Sequence, residues 1–148
     1  MDFQRQGPSA EALAWAERAL GGSARVVAYR RLTGGIPAAV HRLTIESGTE
    51  SGAGRQVVVL RQYEQAAPDR VLREGQVLAA AVAAGLPAPE PLGMSADGAD
   101  AGGHPSILMT RLRGQMNLSP ADPGSWLRQI AGMTARVEEV LDTALRRL

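Results

Sequence analysis

A chain of 148 residues with 45% hydrophobic and 21% charged residues has one domain's length and enough apolar side chains for a core, which excludes a disordered chain. Its net charge of +1 offers no field for nucleic acid or an anionic membrane surface, and no stretch approaches the roughly 18 consecutive apolar residues of a membrane span. The lack of cysteine excludes disulfides and thiolate metal sites. With a polar N-terminus (Met1–Pro8) that has no apolar leader core, it makes a cytoplasmic chain the expectation.

In chain order, Ser9 is placed to cap a helix running to about Leu20, with Leu13, Ala16 and Leu20 on one stripe and Gly21-Gly22 ending it. Ala24–Leu32 reads as a strand. Gly34 and Gly35 break it, and Val40–Glu46 reads as a second strand with His41, Leu43 and Ile45 on one face. Ser47–Arg55 is expected to be a flexible hairpin loop before a third strand, Gln56–Gln62. Three strands joined by short turns predict an antiparallel meander.

Asp69 is the expected N-cap of the next helix, whose stripe is Val71, Leu72, Gly75, Leu78, Ala79 and Val82, with Gly85 closing it. The proline run from Leu86 to Pro91 is held extended. Leu92–Ser95 and Ser106–Arg111 read as two more strands around an Asp97–Gly103 turn. After a connector over Gln115–Ala121, Asp122-Pro123 starts a last helix to about Arg147, striped by Leu127, Ile130, Thr134, Val137, Leu141, Ala144 and Leu148. Trp15 and Trp126 are expected to pack under the two terminal helices. The layout is α+β: one five-stranded antiparallel sheet, one helix inserted between its third and fourth strands, and a helix at each end.

Three features bear on function. Thr33-Gly34-Gly35-Ile36-Pro37-Ala38 reads either as a phosphate-covering loop, since glycines let backbone N–H groups approach an anion, or as an ordinary hairpin turn. Arg61 follows the most hydrophobic run of the chain, Val57–Leu60, and Glu74 lies thirteen positions on, at the edge of the helix's apolar stripe. They read either as a cation–acid pair that holds nucleotide phosphates or as a solvated Arg and a helix-surface Glu. All 16 basic residues are arginine, so a cation for phosphate must be an arginine. His41 and His104 have no acid at metal-ligand spacing, so no metal site is expected.

Taken together, five segments resemble the aminoglycoside phosphotransferase family, which shares the protein-kinase-like fold. They are Leu32–Ile36, Val57–Arg61, Arg73–Leu78, Gly85–Leu92 and Ile107–Gly114, in family order over roughly residues 24–114. The resemblance implies a kinase-like, nucleotide-binding N-terminal lobe over residues 1–114. Residues 115–148 would be a connector and the helix that begins a C-terminal lobe. Gly34 and Gly35 would lie over the phosphates of ATP or GTP. Arg61 would be the strand cation and Glu74 its helix partner. Met109, Thr110, Arg111 and Leu112 would form the hinge against the base.

The family's His-Gly-Asp catalytic loop with its following Asn, and the Asp that holds Mg2+, should come after the last helix. Neither motif occurs in these residues. A truncated lobe, a fragment or half of a split enzyme is therefore expected, one that does not transfer phosphate alone. Leu127, Ile130, Val137 and Leu141 would then be half uncovered, each forgoing about 1.5–3 kcal/mol of burial. The partners expected are the nucleotide and either a second copy or a complementary C-terminal lobe, with neither nucleic acid nor a membrane.

Overall fold

The Ser9 side chain accepts a hydrogen bond from the Ala12 amide, 3.2 Å away, and so starts helix α1 at Ala10–Leu20. Gly21 and Gly22, both at positive φ, stop it. The structure, a computed structural model, describes residues 3–33, 38–49, 52–114 and 119–145. Strands β1 (Ala24–Leu32), β2 (Ala38–Thr49) and β3 (Gly52–Tyr63) follow as an antiparallel meander. Helix α2 (Pro68–Ala83) comes next, then β4 (Pro91–Ser95), β5 (Ser106–Thr110) and α3 (Pro123–Leu145).

The sheet order is β1-β2-β3-β5-β4, so β5 pairs with β3 and β4 takes the outer edge. The architecture is α+β, with α1 against one face of the sheet and α2 against the other. Period-two alternation divides the core accordingly. Leu43, Ile45, Val58, Leu60 and Leu108 pack with Ala12, Trp15 and Ala16 of α1. Ala38, Tyr63, Ile107 and Met109 pack with Val71 of α2. Strand β4 lies between the two helices. A Cβ on Gly93 would come 2.9 Å from Ala19 of α1, and one on Gly75 of α2 would run into the Met94 sulfur. These two glycines let both helices approach the sheet edge closely.

Several expectations are corrected. The segment 47–55 is mostly strand: the β2–β3 ladder continues to Thr49↔Gly52, because the polar residues there still pair backbone to backbone. Asp69 does not cap α2. The N-cap is Ala67 with no side-chain bond, Pro68 occupies the first turn, and Asp69 is an acid within that turn. Leu72, expected on the buried stripe, is 41% exposed, since α2 meets the sheet through Val71 and Gly75. Trp15 is buried as expected, but Trp126 is 37% exposed. Asp122 does cap α3, accepting from the Ser125 amide at 2.9 Å.

Candidate functional site: a carboxylate held between strand and helix

Alternation along β3 turns Val59, Arg61 and Tyr63 toward α2, while Val58, Leu60 and Gln62 face α1. Val71 is fully buried beneath α2, and Glu74 lies one turn further along the same helix. That spacing aims Glu74 at the end of β3. Arg61 Nη1 donates to Glu74 Oε1 at 2.5 Å, and the Tyr63 hydroxyl donates to Glu74 Oε2. Both carboxylate oxygens are thus engaged by one strand. Arg61 keeps 37% of its side chain exposed and Glu74 24%, so the pair sits at the boundary of core and solvent.

Tyr63 is 3% exposed, and the Arg70 guanidinium lies 5.5 Å from its ring centroid. Burial, helped by its bond to Glu74, pushes the Tyr63 phenol up to about 12. The phenol therefore keeps its proton and remains a donor at neutral pH. Beside the cluster, Ala67, Asp69, Arg70, Arg73, Glu74 and Val77 line a surface groove of about 510 Å³.

The sheet face that carries Arg61 continues as an apolar shelf. Val40 on β2 and Ile107 on β5 stand directly opposite Arg61, Val59 precedes it by two, and Leu32 on β1 is opposite Val40. Leu32, Val40 and Val59 are half-buried. A half-exposed guanidinium next to a flat aliphatic surface can hold an anion by charge-assisted hydrogen bonds while an apolar ring lies on the shelf.

Of the sequence-derived site residues, Arg61 and Glu74 are brought together. Gly34 and Gly35 lie outside the described residues. Met109 is buried against α2, and the Thr110 amide donates to the Glu90 carbonyl at 2.9 Å. Arg111 and Leu112 follow the strand and are exposed. Sequence reasoning missed Tyr63. Its only signal was parity: it lies two residues after Arg61 and so shares its face.

Among the described residues no group of three or more His, Asp or Glu converges to hold a metal ion, and no helix is long and apolar enough to cross a membrane. No protein-family model, curated protein or solved structure matches the chain.

Proposed function

We propose that this chain is the nucleotide-binding lobe of an aminoglycoside-phosphotransferase-like small-molecule kinase, and that it binds ATP or GTP without transferring phosphate by itself. The observation that carries the reading is the 2.5 Å pair between Arg61, on the strand, and Glu74, on the inserted helix. Glu74 holds the guanidinium at the edge of the shelf, leaving its other N–H groups for phosphate oxygens. The shelf of Leu32, Val40 and Val59 supports the base. The acids described here do not form a metal set, so Mg2+ would arrive with the nucleotide phosphates, and no step is assigned to it. The test is calorimetric titration of the chain with MgATP and MgGTP. Micromolar to millimolar binding that disappears in Arg61→Ala supports the reading, whereas a folded chain that binds neither nucleotide refutes it.

A second reading has its own observation. Helix α3 packs on α2 yet leaves Leu127 59%, Ile130 44% and Val137 38% exposed. A non-catalytic, kinase-like module that dimerises through this helix would cover them. Its mass in solution decides: a dimer that binds no nucleotide favours this second reading.

A further inference from the structure

Beyond Arg61, the same sheet face carries two more arginines in an unusual arrangement. Arg30 on β1 and Arg42 on β2 are register partners, so two like charges stand directly opposite each other on one face. Such pairs destabilise a sheet unless something neutralises them. The neighbouring positions on this face are Ala28, Leu32, Val40, Thr44 and Val59, none of them acidic. Among the described residues, Glu46 on the same strand as Arg42 is engaged by Arg55 at 3.6 Å and Glu74 of α2 by Arg61 at 2.5 Å. Arg42 is half-buried, and its Nε is buried without a hydrogen-bond partner. A buried cationic donor left unpaired is costly, and native proteins seldom keep one without a use.

Position sets the kind of ligand. Arg42 is opposite Val59, two residues before Arg61 on β3, so Arg42 and Arg61 are diagonal neighbours across adjacent strands, with Cα atoms roughly 7–8 Å apart. Between them lies the aliphatic surface of Val40 and Val59. We propose that Arg30 and Arg42 form a second anion site on this face, which takes a phosphate group of the same ligand whose other phosphate meets Arg61. The ligand class is then a nucleotide whose phosphate groups reach both Arg61 and Arg42, and a ribose bisphosphate is its probe. That class rests on the nucleotide reading above; the anion site rests only on the opposed arginines and the orphaned Nε.

The experiment uses the full chain at fixed ionic strength, as wild type, Arg30→Gln and Arg42→Gln. Calorimetry compares AMP with adenosine 3′,5′-bisphosphate, and the arginine Nε–H resonances are followed during titration with inorganic pyrophosphate. The bisphosphate should bind wild type at least about tenfold tighter than AMP, the worth of one charge-assisted bond, and either Gln variant should erase that advantage. Pyrophosphate should shift the Arg42 Nε–H signal saturably. Because each variant removes a like-charge opposition, both should melt at or above the wild-type temperature. Equal binding of the two nucleotides overturns the second site. So does an Arg42 signal that pyrophosphate does not saturate, or a lowered melting temperature in both variants, which would mean that the arginines serve the fold. If neither nucleotide binds while pyrophosphate saturates Arg42, the anion site stands and the nucleotide reading falls.

Discussion

Replacing Glu74 tests the physical account of the site most directly. Glu74→Ala removes an acceptor from two donors of different burial. Arg61, 37% exposed, can be rehydrated, so its loss is that of a surface pair, about 0–1 kcal/mol. The Tyr63 hydroxyl belongs to a residue that is only 3% exposed, and leaving it unpaired costs about 1–3 kcal/mol. The variant should therefore lose about 2–3 kcal/mol, read as a lower urea midpoint at unchanged slope. Glu74→Gln keeps one oxygen for the phenol and should lose only about 1 kcal/mol.

The decisive arm is the double variant Tyr63→Phe with Glu74→Ala. Once the hydroxyl is gone, nothing is orphaned by the loss of the carboxylate. The two changes should then cost about 1 kcal/mol less together than the sum of their separate effects. Additivity within about 0.3 kcal/mol would show that Tyr63 and Glu74 are not coupled and would refute the reasoning.

Other expectations follow from the packing and the buried ring. Gly75→Ala should destabilise by about 1 kcal/mol through its clash with Met94 and should become stabilising in a Met94→Ala background, where only the gain in helix propensity remains; calorimetric melting of both pairs measures the sign change. His41 is 1% exposed; its Nε2–H donates to the Gln6 carbonyl at 3.1 Å, and its Nδ1 is buried without a partner. Burial, seconded by the Arg31 charge, holds its pKa below the usual 6.5, so the folded state keeps the neutral ring while the unfolded chain takes a proton. Stability should be full above about pH 6.5 and fall as the pH drops below it, and His41→Gln should flatten that limb in midpoints measured between about pH 7.5 and 5.5. Leu127→Gln and Ile130→Gln should each change stability by less than about 0.5 kcal/mol if α3 is open to solvent. A larger loss that depends on protein concentration would mean that another copy covers this face.

How much was legible can be followed residue by residue. Every α-helix and strand was placed, though not the 3-10 turn at Phe3–Arg5, because each carries a local signal: Ser9 and Gly21 bracket α1, the β-branched run Val57–Val59 marks β3, and Gly85 closes α2. Errors fell where local chemistry suggested loop but tertiary pairing prevailed, as in the Gly- and Ser-rich ends of β2 and β3. Hydrophobic periodicity put Leu72 on the buried stripe, yet only contact with the sheet decides which part of a broad stripe is covered.

Of the site, Arg61 and Glu74 were visible as residue types at a suggestive spacing, and their pairing was one of two readings that the residues left open and the family resemblance favoured. By itself the sequence determined period and punctuation: which segments are helix or strand, that Arg61 shares a face with Val59 and Tyr63, and that any phosphate-binding cation must be arginine. These are properties of neighbours along the chain. Only the tertiary structure decided that β5 rather than β4 pairs with β3, that α2 lies close enough for Glu74 to accept from both Arg61 and Tyr63, and that Arg30 faces Arg42. Those facts depend on the order in which strands assemble and on the small Gly75 and Gly93 contacts that set helix-to-sheet distance, which no local pattern encodes.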